Sequence, residues 1–338
     1  MLEILLNQYF ADTGAAHHHM LKYGFESTII IANCEPLQKK WAVENNLSFD
    51  SKNWKNEIAL AQIKKFSPDV FYIESIFEFY GEFLKAAKQH CKKIISWIST
   101  PFNEQLNLKN IDLIISSTPA FVKQFKQNGI NSVYMLPAFD ARVLSELPQN
   151  IAKDIPFSFV GGWSHVHIQR KEAIKKLVEK TDIQLWGYGY KKEYSKKSFQ
   201  FYKNLFFKKD KEILERYKGE VWGLKMYDVL SRSNITFNIH ESLLKGRVGN
   251  MRMFEASGVG TLILNDYGSN LNDLFEIGKE IESYKSINEA IEKVNFYTKY
   301  PQLGQEIAKN AQKRTLKDYT YDNWAPKLID IIKYQFEW

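Results

Sequence analysis

Residues 249–266, GNMRMFEASGVGTLILND, combine a helix start, a carboxylate and a glycine turn. The side chain of Asn250 suits a helix N-cap, and the apolar spacing after it predicts a helix that carries Glu255. Gly258 predicts the end of this helix, and residues 261–264 predict a short buried strand. A carboxylate beside a glycine turn at the edge of an α/β sheet is typical of nucleotide binding. The segment alone leaves open the alternative that Glu255 is a solvated helix residue.

Further motifs lie within this segment and on both sides of it. They are Asn238-Ile-His240, Asn250-Met-Arg252, Phe254-Glu255-Ala256, Leu274-Phe275, Gly278-Lys279-Glu280, Arg314-Thr315-Leu316 and Thr320-Tyr321. Together they resemble the donor-binding core of the GT-B glycosyltransferases, and most closely the CgeB-like spore-maturation branch of that superfamily. The resemblance runs from about Val160 to about Tyr321 and is looser over residues 1–150.

The resemblance implies an α/β fold in which two Rossmann-like domains face a cleft, and the alternation of segments along the chain agrees with it. We predict an acceptor domain over residues 1–150, a nucleotide-sugar donor domain over residues 151–322, and a last helix over residues 323–338 that returns to the first domain. Apolar runs predict strands at residues 2–6, 28–32, 70–74, 94–98, 113–116, 133–136, 157–160, 183–186, 220–222, 235–239 and 261–264. Helical patterns cover residues 54–65, 79–91, 120–128 and 324–334.

Candidate donor-binding residues follow the predicted strands of the second half, because ligands of an open α/β sheet bind beyond the carboxyl ends of its strands. Gly161 and Gly162 follow the strand at residues 157–160, and glycine lets backbone N–H groups approach a phosphate closely. A plain tight turn is the alternative. The resemblance favours the donor role, because GT-B enzymes have a glycine turn at this point.

A nucleotide-diphosphate leaving group needs positive charge around it. Four cations lie in or beside the loops predicted to face the cleft: Arg170, Lys245, Arg247 and Arg252. Arg170 and Arg247 are the preferred phosphate ligands, since Arg252 could instead pair with a neighbouring carboxylate.

By resemblance, Glu255 occupies the second glutamate position of the E-x7-E pattern of many retaining GT-B enzymes, where that residue binds the ribose hydroxyls. Arg247 stands where the pattern has its first glutamate, and this departure leaves the stereochemistry of transfer open. His240 ends a predicted strand and is expected to face the cleft. It would bind a sugar hydroxyl or phosphate, or else act as a packing residue.

Candidate catalytic residues of the acceptor side are Asp12, the run His17, His18 and His19, and Glu74. Successive side chains of a helix are about 100° apart, which excludes a zinc site formed by all three histidines. One of them could be the general base of an inverting transfer, because a histidine pKa lies near neutrality. Glu74, at the end of another strand, is the alternative base, and a retaining enzyme needs neither.

Composition limits the function classes. Hydrophobic residues make up 44% and charged residues 25% of the 338 residues, which is typical of a globular protein. The N-terminus has no basic leader and no apolar run approaches the ~20 residues that span a bilayer, so we expect a cytoplasmic location. Cys34 and Cys91 are too few for a disulfide framework. Phosphate-loop, nucleophile-elbow, HExxH, CxxC and aspartate-any-aspartate motifs are absent, so we expect no cofactor and no catalytic metal.

The net charge of +7 comes largely from one segment, since eight lysines fall between Lys191 and Lys211 among six aromatic residues. This segment is either a solvated face or a basic, aromatic patch that contacts the inner face of an anionic membrane, where each cation contributes roughly 1 kcal/mol. Nucleic acid is not a predicted partner, because the usual recognition signatures are absent.

We therefore predict a glycosyltransferase that uses a nucleotide-sugar donor and a glycan, lipid-linked or protein acceptor, in bacterial surface glycan assembly or protein glycosylation. A nucleotide-sugar epimerase of the same fold is the alternative enzyme. A scaffold that binds glycans or nucleotides without catalysis is the alternative outside enzymes.

Overall fold

The computed structural model of the chain describes residues 1–10, 14–103, 106–163, 168–190, 208–240 and 246–338, with the side chains of 208–210 left out. The chain divides into two compact units. The first consists of Met1–Leu5 and Met20–Leu136, and the second of Leu6–His19 and Pro137–Trp338. Among the described residues, no helix is both long and apolar enough to cross a bilayer.

The first unit contains a four-stranded parallel sheet in sequential order, formed by β1 (Val70–Ile73), β2 (Lys93–Trp97), β3 (Leu113–Ser116) and β4 (Ser132–Tyr134). The two central strands are apolar runs whose inner residues are buried, as expected where helices cover both faces of a parallel sheet. Helices with residues in this unit are Leu2–Leu6, Ala15–Lys22, Glu35–Glu44, Trp54–Phe66, Ile76–Glu78 (a 3-10 turn), Glu82–Ala87 and Pro119–Gln127; the first two extend into the second unit.

The second unit contains a six-stranded parallel sheet of order β10-β9-β8-β5-β6-β7. Its strands are β5 (Ile155–Val160), β6 (Gln184–Trp186), β7 (Tyr217–Gly219), β8 (Ser233–Asn238), β9 (Leu262–Asp266) and β10 (Glu282–Tyr284). Its helices are Val143–Glu146, Ile168–Lys180, Lys208–Arg216, Leu224–Arg232, Met251–Gly258, Leu271–Leu274, Ile287–Lys299, Pro301–Asp318 and Tyr321–Phe336. Phe157, Phe237 and Leu264 project from the strands into the main core.

The order of this sheet reverses at β5, which pairs with β6 on one side and with β8 on the other. The carboxyl ends of β5 and β8 therefore flank a topological switch point, where open α/β sheets form their ligand crevice.

Two predicted strands are wrong, a third lies three residues earlier than predicted, and one strand was not predicted. Residues 2–6 form a helix, because leucine and glutamate are strong helix formers and no side chain of this helix is buried against a sheet. Residues 28–32 are not a strand, although Ile30 packs against the hydrophobic core of the first unit. The predicted strand at residues 220–222 ends earlier, at Gly219, whose φ of +123° breaks the extended run. The unpredicted strand is β10.

The predicted helix at the C-terminus is present as Tyr321–Phe336 and belongs to the second unit. Its predicted return to the first domain stays a prediction. The residues before the predicted domain boundary at residue 150 contain the short helix Val143–Glu146 and the buried residue Asp140, whose carboxylate is bound by Arg142 through Nε at 2.9 Å and Nη2 at 2.5 Å.

Candidate functional site

A cavity of about 300 Å³ lies at the switch point of the second sheet. Its walls come from the ends of the strands, the loops that follow them and one N-terminal residue. The lining residues are Phe10, Phe159, Val160, Gly161, Gly162, Arg170, Gly187, Tyr188, Val221, Trp222, Met226, Asn238, Ile239, Asn250, Met251, Arg252 and Glu255. A second cavity of about 450 Å³ lies beside Gln184, the first residue of β6. The first cavity is the candidate site, because ligands bind at the carboxyl ends of such strands.

Glu255 is the carboxylate at the cavity. It lies on the helix Met251–Gly258, whose N-cap Asn250 accepts a hydrogen bond from the Met253 N–H at 3.3 Å. The Glu255 side chain is only 5% exposed, and its charge is balanced by Arg252, whose Nη1 lies 2.7 Å from Oε2. The Tyr227 hydroxyl donates to Oε1 at 3.5 Å. A carboxylate has about four lone-pair positions, so Glu255 can accept further hydrogen bonds from a ligand.

Glycines follow β5 and β6 because larger residues would collide with their neighbours. A Cβ on Gly162 would lie 2.3 Å from the Tyr188 ring, and a Cβ on Gly161 would lie 2.6 Å from the Phe159 ring. Gly187, with a φ of +134°, approaches the Gly161 carbonyl in the same way. The collision of Gly187 is with backbone and requires glycine, whereas at Gly161 and Gly162 an aromatic side chain would have to move. The backbone of Gly161 and Gly162 lies at the cavity wall.

Arg170 supplies positive charge beside this backbone, whereas Arg247 is not among the residues that line the cavity. Arg170 lies in the first turn of the helix Ile168–Lys180, and its Nη1 donates to the Gly162 carbonyl at 3.4 Å. Arg247 is half-buried, and its buried Nε has no hydrogen-bond partner among the described residues. A buried guanidinium N–H without a partner is costly, so Arg247 is suited to an anionic ligand.

His240 follows β8 and fixes the loop that leads into the helix Met251–Gly258. Its Nε2 accepts the N–H groups of Gly249 at 3.1 Å and Asn250 at 3.2 Å. A nitrogen that accepts carries no proton, which assigns the ring proton to Nδ1, and Nδ1 donates to Asp266 Oδ1 at 2.6 Å. Asp266 Oδ2 also accepts the backbone N–H of His240 at 3.0 Å.

Buried amides extend this network across the strand ends. Asn238 Nδ2 donates to Asn250 Oδ1 at 3.0 Å and to Asn265 Oδ1 at 2.7 Å. Asn270 accepts the Val248 N–H and donates to the Val248 carbonyl, both at 2.8 Å. These bonds fix residues 248–250, so the start of the helix faces the cavity in one defined conformation.

Aromatic rings form the opposite wall. Trp222 stacks on Tyr188 with centroids 5.6 Å apart and planes 11° apart, and Phe10 meets Trp222 edge-on at 5.3 Å. All three side chains keep more than 40% of their surface exposed, although they lie at a cavity. They therefore leave aromatic surface free for a planar ligand.

Comparison with known proteins agrees with this geometry. Residues 169–330 match the family described as "Glycosyl transferase-like". This part of the chain is therefore similar to a glycosyl transferase-like domain. It contains Glu255, His240 and the three described arginines of the site, whereas Gly161 and Gly162 precede it. A comparison with curated protein sequences finds no match.

Solved structures share the fold over most of the chain. A glycosyltransferase from Rickettsia africae is 13% identical, with a TM-score of 0.58 over 95% of this chain and 93% of that one. Sucrose-phosphate synthase from Thermosynechococcus elongatus is 12% identical, with a TM-score of 0.56 over 86% and 81%. HepE from Anabaena, in complex with UDP and glucose, is 13% identical, with a TM-score of 0.55 over 88% and 89%. The predicted α/β fold of GT-B type and the predicted glycosyltransferase class are confirmed.

The structure brings together most of the predicted donor residues: Gly161, Gly162, Arg170, Arg252 and Glu255 line one cavity of the second unit. Arg252 is the partner of Glu255, the alternative given for it above. His240 uses both ring nitrogens within the protein, so a direct contact with a sugar stays a prediction. Lys245 lies outside the described residues.

The three histidines differ in environment. His19 is buried, donates from Nδ1 to the Ala15 carbonyl at 2.9 Å, and has Nε2 3.5 Å from Asp322. His18 is exposed. His17 is half-buried, and burial, followed by the positive charge of Arg142, lowers the pKa of its ring. Of the three, His17 is thus best suited to act as a neutral base.

The remaining acceptor candidates are untested. Glu74 is exposed directly after β1 in the first unit. Asp12 and most of the basic segment 191–211 lie outside the described residues. Among the described residues, no cluster of three His, Cys, Asp or Glu could hold a metal.

Sequence reasoning missed the aromatic wall and the partner of His240. The pattern Gly187-Tyr188-Gly189 directly after a predicted strand was a usable signal for Tyr188. Phe10 and Asp266 carry no signal in the sequence, because tertiary structure alone brings them to the site.

Proposed function

We propose that the chain is a metal-independent glycosyltransferase of the CgeB-like branch, which moves a sugar from a nucleotide-sugar donor to a hydroxyl acceptor. The observation that carries the proposal is the cavity at the ends of β5 and β8, where an aromatic wall, a buried carboxylate and arginines meet. These three features match the base, the ribose and the diphosphate of a nucleotide sugar.

The aromatic wall suits the base. Trp222 and Tyr188 present flat, partly exposed rings, and stacking of a base on an aromatic side chain contributes about 1–3 kcal/mol. Stacking alone tolerates every base, so the choice among nucleotides must come from other groups. HepE, a structural neighbour, was solved with UDP and glucose, which makes UDP-sugars the first donors to test.

Glu255 suits the ribose. Arg252 and Tyr227 occupy only part of its hydrogen-bonding capacity, and the Arg252 guanidinium pairs with the carboxylate in its buried position. A hydrogen bond to a charged acceptor is worth about 1.5–3 kcal/mol, more than one to a neutral acceptor. The two ribose hydroxyls are donors that this carboxylate can bind.

Positive charge and backbone donors suit the diphosphate. Arg170 is bound to the carbonyl of Gly162, and Arg247 has a buried guanidinium N–H available. The start of the helix Met251–Gly258 adds N–H groups and a partial positive charge. These groups can stabilise the charge of a leaving nucleoside diphosphate without a divalent cation.

In an inverting transfer, the acceptor oxygen would attack the anomeric carbon while the bond from that carbon to the phosphate oxygen breaks. The acceptor hydroxyl proton would pass to a base, for which His17 and Glu74 are the candidates. His17 is favoured, because a lowered pKa keeps its ring neutral near pH 7. A retaining mechanism needs no such base, and Arg247 in place of a glutamate leaves both routes open.

The acceptor is proposed by chemical class. A glycan, a lipid-linked sugar or a protein would supply the hydroxyl, in a cytoplasmic reaction. The basic segment 191–211 would hold the enzyme at an anionic membrane if the acceptor is lipid-linked. Co-sedimentation with acidic but not with neutral liposomes, lost near 0.5 M salt, is the expected result.

Thermal-shift measurements with UDP-, GDP-, dTDP- and CMP-sugars in EDTA, followed by measurement of nucleotide release, test the function. At 100 times Kd the correct donor should stabilise the folded protein by about 2.7 kcal/mol, and slow donor hydrolysis should release the nucleotide. Epimerisation of the donor sugar without release would indicate the epimerase, and binding without turnover would indicate a scaffold. Absence of binding by every member of the panel would refute the proposal.

A further inference from the structure

The N-terminal strap, residues Gln8, Tyr9 and Phe10, belongs to the second unit although it stands at the start of the chain. The Gln8 carbonyl accepts the N–H of Leu224, the first residue of the helix Leu224–Arg232, at 2.9 Å. This bond satisfies one of the free N–H groups at the start of that helix. The strap is therefore attached to the loop that carries Trp222.

Gly223 makes this attachment possible. Its φ is +53°, and a Cβ at this position would lie 2.0 Å from the Gln8 oxygen. A side chain at residue 223 would displace the strap, because the colliding atom belongs to the backbone and cannot rotate away. The glycine turn after β7 is thus fitted to the strap.

Tyr9 anchors the strap on its other side. Its φ is +52°, an uncommon conformation for a non-glycine residue, and it is buried. The hydroxyl donates to Glu146 at 3.4 Å, and the Arg142 guanidinium lies 5.4 Å above the ring. With Tyr9 fixed, the chain directs the next side chain, Phe10, to the cavity.

Phe10 extends the aromatic wall. The Phe10 ring meets the Trp222 ring edge-on, with centroids 5.3 Å and planes 70° apart. Trp222 also stacks on Tyr188. The strap contributes to the cavity only through the Phe10 ring, which remains 45% exposed. The Phe10 ring is exposed, and the two residues before it, Gln8 and Tyr9, are anchored, so the ring is suited to contact a ligand.

We propose that Phe10 is a base-contacting residue of the donor site, and that the strap encloses a nucleobase stacked on the Trp222 wall. This inference rests on the proposed function, because it requires a nucleotide in the cavity. The chemical class that Phe10 recognises is a planar aromatic ring, and it does not contact the ribose or the phosphates. Phe10 should therefore affect nucleotides but not ligands that lack a base.

The test compares Phe10→Ala with Phe25→Ala, since Phe25 is equally exposed at 44% but lies in the first unit. Calorimetry measures Kd for the nucleoside diphosphate that the wild type binds most tightly, and for pyrophosphate. Phe10→Ala should raise the nucleotide Kd about threefold to tenfold, the usual range for an aromatic contact, and leave the pyrophosphate Kd unchanged. Phe25→Ala should change neither.

Gly223→Ala provides a second test of the strap, with Gly129→Ala as its control. Gly129 also has a positive φ, of +74°, but a Cβ added there would meet no atom within 4 Å. Gly223→Ala should weaken nucleotide binding, and adding Phe10→Ala to it should cause little further loss, because the strap is already displaced. Gly129→Ala should leave nucleotide binding unchanged.

Two results would overturn the inference while leaving the proposed function intact. One is an unchanged nucleotide Kd in Phe10→Ala, and the other is an equal loss of nucleotide and pyrophosphate binding, which would make Phe10 a structural residue. A wild type that binds no nucleotide would overturn both.

Discussion

Glu255→Gln is the substitution that separates donor binding from stability most clearly. Glutamine keeps the shape of the side chain but removes the charge that Arg252 balances at 2.7 Å. A hydrogen bond to a charged group is worth about 1.5–3 kcal/mol and one to a neutral group about 0.5–1.5 kcal/mol. With two ribose hydroxyls the difference is about 2 kcal/mol, which corresponds to a roughly thirtyfold higher nucleotide Kd.

Glu282→Gln is a matched control. Glu282 is also buried, pairs with Lys293 at 2.6 Å, and accepts the Tyr297 hydroxyl at 2.8 Å, but it does not line the cavity. Both substitutions remove one partner of a largely buried ion pair, so both should lower the free energy of unfolding, by about 1–3 kcal/mol. Only Glu255→Gln should weaken nucleotide binding.

Calorimetry with the nucleotide gives the two Kd values, and urea denaturation gives the two stabilities. If Glu255→Gln binds the nucleotide as tightly as the wild type, Glu255 does not bind the ribose. If both variants lose affinity to the same extent, the loss reflects general destabilisation, and the assignment of Glu255 is equally refuted.

Three further predictions concern the loop, the cation and pH. His240→Ala leaves the N–H groups of Gly249 and Asn250 without their acceptor. Urea denaturation should therefore show that the free energy of unfolding falls by about 2–5 kcal/mol, and calorimetry should show a higher donor Kd. An unchanged urea midpoint would contradict the role of His240 in the loop. Nucleotide stabilisation should be equal in EDTA and in magnesium, and stabilisation that requires magnesium would exclude the metal-free mechanism. The pKa of His17 is lowered on folding by burial and by Arg142, so below about pH 6.5 the unfolded chain binds more protons than the folded protein. The contribution of His17 to the free energy of unfolding is therefore fully present above about pH 6.5 and is lost as the pH falls below it. His17→Gln should therefore lose less stability than the wild type between pH 7.5 and 5.5, and parallel losses would contradict the shift.

The donor half could be predicted because its signals are local. The strands β5, β8 and β9 are apolar runs buried in a parallel sheet, and the Asn250 cap and the Gly258 turn bound the helix of Glu255. Such features depend on neighbouring residues only, so the sequence alone indicates them. The common site of Glu255 and its flanking cations follows instead from the resemblance to GT-B enzymes and from the binding of ligands beyond the carboxyl ends of parallel strands.

The N-terminal region could not be predicted in the same way. The apolar residues 2–6 suit both a strand and a helix, and only the surroundings decide between them. The aromatic wall joins Phe10 to Trp222 and Tyr188 from three separate segments, and no periodicity relates them. His240 was predicted to face the cleft, but its two ring nitrogens bind Asp266 and the loop before residue 251, which spacing cannot reveal.

A crystal structure of the protein soaked with the nucleoside diphosphate that binds most tightly in calorimetry would show directly where the donor nucleotide binds. We expect density in the cavity at the ends of β5 and β8, with the ribose hydroxyls within hydrogen-bond distance of Glu255. We also expect the base against Trp222 and the phosphates near Arg170 and the start of the helix Met251–Gly258. A nucleotide bound elsewhere on the protein, with this cavity empty, would contradict this expectation.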